Sequence, residues 1–249
     1  MKSTKETLLQ RRSIRRYERE KLSDEQIEFI HEAIRNTPTS YNGQQFSVID
    51  ISYQAIKEQL YELTSQKQIK TCARFMLFCA DFHKITLGAK EKGVDMPEFT
   101  HTADGLIVGT VDAALAMMSA LVAAESMGLG TCCIGYARTA APEEIARLLH
   151  LPDRTYAVCG LAIGVPREMP DLKPKQPSAL LIHSDRYTSD EKLTGDIMAY
   201  DREITEYNTT RSGSKTTNDW IDHIAGYYRE AMHYHMLEAL RGQDFIPEK

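Results

Sequence analysis

An α+β domain is the fold class this sequence predicts, and three observations predict it. Strand-like and helix-like segments alternate along the chain, joined by connections of the length that antiparallel pairing allows. No internal repeat, low-complexity tract or Pro/Gly-rich linker divides the 249 residues, so residues 1–249 read as a single domain with a C-terminal extension over 189–249. Finally, 42% of the residues are hydrophobic, enough for one sizeable core.

The elements follow in order. Ser3 with Glu6 and Ser23 with Gln26 have capping-box spacing, so a helix starts at each. The second carries Ile27, Ile30, Ala33 and Ile34 on one face and should stop at Thr37, because Pro38 biases its predecessor away from the α region. A turn-rich loop, PTSYNGQ, comes next. Residues 46–53 are rich in Val and Ile and predict a strand; 54–66 predict a helix with Ile56, Leu60 and Leu63 inward, and 75–82 a second strand. Residues 88–104 read as a loop or helical excursion.

Residues 105–124 are apolar but for Asp112, and their length approaches that of a membrane span. Asp112 near the middle would cost about 2.5 to 3.5 kcal/mol on insertion, and no Lys/Arg cluster flanks the segment. It therefore reads as a helix buried in a core or a subunit interface. Gly128 supplies a C-cap, 131–136 a strand, 142–150 a helix opened by proline, and 156–165 an apolar strand. The run DLKPKQPSALLIH should hug the surface before a last short strand. Helix then dominates from Asp190, interrupted by TTRSGSKTTND, with 220–241 as a terminal helix.

Several chemistries are excluded or weakened. A net charge of −5 rules out a global basic footprint. Gly128-Leu129-Gly130 closes a helix and opens a strand, the reverse of a Rossmann turn, and there is no phosphate-binding G-x-x-x-x-G-K-[ST]. Five cysteines make neither an even disulfide set nor a C-x-x-C, and no metal site is expected; Cys132 and Cys133 read as core. The first ten residues lack a secretory h-region, which predicts a cytoplasmic protein. Ser40 has no nucleophile-elbow setting. What stands out is RRSIRR, residues 11–16: Arg12 and Arg15 are three apart and can converge on one anion, whereas a nucleic-acid patch would need interleaved aromatics.

Arg12-Ser13-Ile14-Arg15 after a first helix, Pro38-Thr39-Ser40 with Asn42 and Gln44 after a second, Gly128-Leu129-Gly130 leading into Ile134-Gly135, and Asp171-Leu172-Lys173-Pro174-Lys175 together resemble the FMN-dependent nitroreductase family. Arg211 to Lys215, followed by Asp219-Trp220, extends the likeness to the larger branch, the oxygen-insensitive NADPH nitroreductases and NADPH-flavin oxidoreductases. The resemblance spans essentially the whole chain. It implies an intertwined homodimer with a central mixed sheet flanked by helices, FMN between the subunits, and the apolar helix packed against its mate. It further implies that Arg11, Arg12, Ser13 and Arg15 hold the ribityl and phosphate groups, with Lys173 and Lys175 closing on the phosphate. Thr39, Ser40, Tyr41 and Gln66 would edge the isoalloxazine. Cys133, Ile134, Gly135 and Tyr136 would run past the ring, the Gly135 N–H near N5. Arg211 and Lys215 would meet the 2′-phosphate of NADPH, favouring it over NADH.

The departures are Arg11 where the family often has His, Cys133 for Tyr, Tyr136 for a second Gly, Lys175 for Arg, and Thr216 at a basic position. Tyr136 would narrow the pocket and alter substrate choice. The implied activity is NAD(P)H oxidoreduction by ping-pong hydride transfer through FMN, with nitroaromatics, quinones or free flavins as acceptors and no side-chain acid or base. A flavin-binding or storage protein without turnover of its own is the alternative.

Overall fold

The computed structural model describes residues 1–213 and 215–246. They fall into two compact units, Met1–Met169 with the chain from His235 onward, and Pro170–Tyr234. In chain order the first unit carries α1 (Thr4–Gln10), α2 (Asp24–Arg35), β1 (Phe46–Ile51), α3 (Gln54–Thr64), α4 (Lys67–Thr71), β2 (Arg74–Asp81) and α5 (His83–Lys92). It continues through α6 (Ala103–Ser126), β3 (Gly130–Ile134), α7 (Tyr136–Thr139), α8 (Pro142–Leu148) and β4 (Thr155–Gly164). The second unit holds α9 (Ser178–Leu181), α10 (Asp190–Thr210) and α11 (Trp220–Ala231); α12 (Met236–Gly242) belongs to the first again.

Both capping boxes form. Glu6 N–H donates to Ser3 Oγ at 3.3 Å while Ser3 N–H donates to Glu6 Oε2 at 2.9 Å, and Ser23 with Gln26 repeats the exchange at 3.2 and 3.0 Å. Gly128, at φ +86, ends α6 in the left-handed conformation that favours glycine.

The four strands pair in the order β1-β2-β4-β3, every pair antiparallel. Parallel character enters only as a bridge between Ser13 and Thr131 at the β3 edge. β2 is central and covered on both faces, which is why it reads as a continuous apolar run. Its Met76, Phe78 and Ala80 join α2 and α6 in one core, while Phe75, Leu77 and Cys79 face Leu60, Ile69 and Ile145 in the other.

Four stretches differ from expectation. A helix does occupy part of the 88–104 region, but it starts at His83 because Asp81 Oδ1 accepts the His83 and Lys84 N–H groups at 2.9 and 3.4 Å. The helix from Gln54 ends at Thr64, where Ser65 turns left-handed at φ 56, and α4 follows. The last short strand expected after His183 does not form, residues 182–189 being irregular, and the run before them holds the single helical turn α9 after Pro177, closed by Ile182 N–H to Ser178 O at 2.8 Å. The expected terminal helix is broken at residues 232–235, because α12 returns to the first unit, where Leu240 and Phe245 are buried in its core. Arg154 fastens this return through Asp244 at 2.7 Å, and also pairs with Glu98.

Candidate functional site

Residues 11–17 leave α1 as an extended arm laid along the sheet edge. Ile14 N–H donates to Thr131 O at 2.8 Å, and Tyr17 OH donates to Ile14 O at 2.6 Å and approaches Ala162 O at 3.3 Å. Gly130 lets the arm come close, since a Cβ there would stand 2.8 Å from Ile14. Burial pushes the Tyr17 phenol above its ordinary range, so it stays a neutral donor. From the other side Glu168 Oε1 accepts the backbone N–H groups of Arg15 and Arg16 at 2.7 and 3.2 Å.

With the arm's backbone thus fixed, its side chains have a defined outward face. Arg15 is exposed, and its guanidinium has no hydrogen-bond or ion-pair partner among the described residues. Arg12 Nε donates to Gln10 O at 3.2 Å. Arg11 Nε is buried without a hydrogen-bond partner, 3.8 Å from Glu125 Oε1. Glu125, buried at the end of α6, also accepts from Thr131 Oγ1 at 2.5 Å; burial pushes its carboxyl up, opposed by that bond and by Arg11. Guanidiniums held in this way are ready for an oxyanion.

The loop carrying Thr39, Ser40 and Tyr41 is built on a buried carboxylate. Asp112 on α6, wholly inaccessible, accepts Ser40 N–H at 3.0 Å and Gln45 N–H at 3.2 Å. Between those anchors Tyr41, Asn42 and Gln44 all have φ between 53 and 58, while Gly43 does not. Left-handed backbone costs a non-glycine residue roughly 1–2 kcal/mol. Two hydrogen bonds to a carboxylate, each worth about 1.5–3 kcal/mol, are of the size needed to hold it. The result presents Tyr41 with 85% of its surface exposed.

At the end of β3, Ile134 is buried and Cys133 is exposed, not core as expected: successive strand residues point to opposite faces, so Cys132 and Ile134 enter the core while Cys133, between them, points the other way. Gly135 is exposed and leads into α7; a Cβ there would meet only Arg138 Nη2, at 4.0 Å. Half-buried Tyr136 packs against the core face that includes Leu60 and Ile69. Gln66 sits between α3 and α4, its Oε1 accepting from Gln68 Nε2 at 2.9 Å.

In the second unit Lys173 and Lys175 are exposed in an irregular segment. Arg211 caps α10 with its guanidinium 6.0 Å from the Tyr207 ring centre, and Lys215 is exposed. The Ser/Thr/Gly-rich segment is tied down at Ser212 and Thr216. Ser212 N–H and Oγ both donate to Asp171 Oδ2, at 2.8 and 2.7 Å, and Thr216 N–H donates to Asn208 O at 3.0 Å.

The structure therefore gathers Arg11, Arg12, Ser13, Arg15 and Cys133 at the β3 edge, but anchors the 39–45 loop elsewhere on α6. Thirteen residues separate its anchor Asp112 from Glu125, roughly 20 Å of helix. Sequence reasoning missed both carboxylates, along with Glu168 and Asp171. A signal existed for the first two: they are the charges that α6 carries beyond its first turn, and a buried charge needs a partner.

Residues 8–165 match the model of the nitroreductase family, and residues 173–248 that of the nitroreductase family C-terminal domain. The chain is 37% identical over 244 residues to an FMN reductase [NAD(P)H] of Bacillus subtilis, covering 98% of both chains. It is 38% identical over 226 residues to an oxygen-insensitive NADPH nitroreductase of Salmonella typhimurium, 90% of each. Among solved structures, the hypothetical oxidoreductase YcnD from Bacillus subtilis superposes with a TM-score of 0.94 at 37% identity over the full length of both chains.

Proposed function

The chain belongs to the nitroreductase family through both of its units, and on that premise we propose that it is an FMN-dependent NAD(P)H oxidoreductase that reduces nitroaromatics, quinones or free flavins. The observation that carries this reading is the arm of residues 11–17, whose backbone is spent on the sheet edge and on Glu168 while the Arg15 guanidinium has no hydrogen-bond or ion-pair partner among the described residues. The residues fit the cofactor. The arginines and Arg11's orphaned Nε suit a phosphate, and exposed Cys133 and Gly135, on either side of buried Ile134 at the end of β3 and with no Cβ at Gly135, leave room for a flat ring.

FMN bound there would supply the two-electron chemistry, carrying reducing equivalents from NAD(P)H to an acceptor that occupies the site once the nicotinamide has left. The chain's own residues bind and orient. Arg11, Arg12 and Arg15, with Ser13, would hold the ribityl phosphate, and the Gly135 N–H would serve as the donor that stabilises negative charge developing on the ring. Thr39, Ser40, Tyr41 and Gln66 border the ring, and no side-chain proton donor is needed. Arg211 and Lys215 meet the 2′-phosphate of NADPH.

The reading includes a homodimer. In one protomer the arm and the 39–45 loop have anchors about 20 Å apart along α6, so a second copy brings the loop to the ring. Ile107, Val111, Leu115 and Met118 form an exposed apolar stripe on α6, spaced four, four and three residues apart. A cytoplasmic setting, which supplies NADPH and keeps the five free cysteines reduced, suits the same reading. The purified protein should be yellow and bleach with NADPH in the absence of oxygen. A yellow protein that does not bleach would be a storage module instead.

A further inference from the structure

Asp171 belongs to the DLKPK element, yet nothing in the chemistry above uses it. Its carboxylate Oδ2 accepts two hydrogen bonds from one residue, the N–H and the hydroxyl of Ser212 at 2.8 and 2.7 Å. Tyr207 OH approaches Asp171 O at 3.5 Å and Tyr200 OH approaches Pro174 O at 3.4 Å. These tyrosines are seven residues, about two turns, apart, so one face of α10 rests along residues 171–174. The loop that leaves α10 is thus held at its start by Asp171. Its far end is held by Asn208, which accepts from Thr216 N–H at 3.0 Å and donates to Asn218 O at 2.8 Å.

We propose that Asp171 is a positioning residue for nucleotide selection: it pins Ser212 so that the neighbouring Arg211 and the following Lys215 are presented before NADPH arrives. The proposal rests on the reading that those two cations meet the 2′-phosphate. Ser212 is fully committed to Asp171, so its amide is not a phosphate ligand; the anion is recognised by the flanking side chains. Without the carboxylate, the ordering entropy of the loop is drawn from nucleotide affinity, and this weakens ground state and transition state alike. The effect belongs in KM.

The test is steady-state kinetics of the FMN-loaded enzyme with NADPH and with NADH. Asp171→Ala should raise KM for NADPH about tenfold, leave kcat within about twofold, and move KM for NADH much less, the signature of lost uniform binding. Ser212→Ala, which removes only the hydroxyl bond, should give a smaller rise of the same kind and guards against a misfolded Asp171 variant. Adding Asp171→Ala to the Arg211→Ala/Lys215→Ala double variant should raise KM no further, since the cations being positioned are gone. If the cation variant loses NADPH affinity while Asp171→Ala does not, the positioning role is overturned and the loop's function stands. If neither changes KM for NADPH, the loop does not read the nucleotide and both fall. A fall in kcat with both nucleotides equally would make Asp171 merely structural.

Discussion

In the proposed reading, Arg15 is the side chain on which flavin retention turns. Its backbone is clamped by Glu168 at 2.7 Å, so the guanidinium is presented without further ordering. A charge-assisted bond to phosphate contributes about 1.5–3 kcal/mol, so Arg15→Ala should weaken FMN binding by roughly ten- to a hundredfold and yield largely apo protein after dialysis. Full occupancy measured by released flavin would contradict the assignment. The arginines were legible because four in six residues stand out in an acidic chain. Glu168 was not: it lies some 150 residues away, and nothing local marks a carboxylate that accepts two backbone N–H groups. Cys133 shows the same limit. An apolar run says that a residue sits in a strand, but not that the face opposite Cys132 and Ile134 is left uncovered.

Among the elements, α6 does more than fill the core. Its Asp112 holds the strained 39–45 loop, and its Glu125 faces the arm, so one helix fixes two parts of the site. Asp112→Asn keeps one acceptor oxygen and leaves one of the two N–H groups buried and unpaired, at a cost of about 1–3 kcal/mol. Melting temperature should drop by roughly 2–4 °C for each kcal/mol, and kcat/KM should fall with it as Tyr41 loses its fixed position. A variant with unchanged melting temperature would show that the carboxylate is not what holds the loop. Capping boxes and hydrophobic period located α1, α2, β1, β2, α6 and β4 to within a few residues, because those signals are local. The break between α11 and α12 was invisible for the opposite reason: the helix period continues through residues 232–235, and what ends it is the burial of Leu240 and Phe245 in a core assembled from distant segments.

For the whole molecule, the exposed α6 stripe and the separation of arm from loop both support the proposal that one protomer is an incomplete enzyme. Obligate interfaces bury about 2,000 Å² or more, and Leu115, 41% exposed in the protomer, can be charged without disturbing the fold. Leu115→Glu should therefore convert the dimer to a folded monomer by sedimentation, with loss of bound flavin. A flavin-loaded, active monomer would remove the two-protomer site.

Turnover of FMN is what separates an oxidoreductase from a protein that merely holds the flavin. Anaerobic mixing of the yellow holoprotein with one equivalent of NADPH, followed by a nitroaromatic after the nucleotide has been removed, tests it in one experiment. The flavin colour should be lost in the first step and return in the second, as two separate half-reactions require. A holoprotein that stays yellow with NADPH, or that bleaches and is not reoxidised by nitroaromatics, quinones or free flavins, would contradict the oxidoreductase reading.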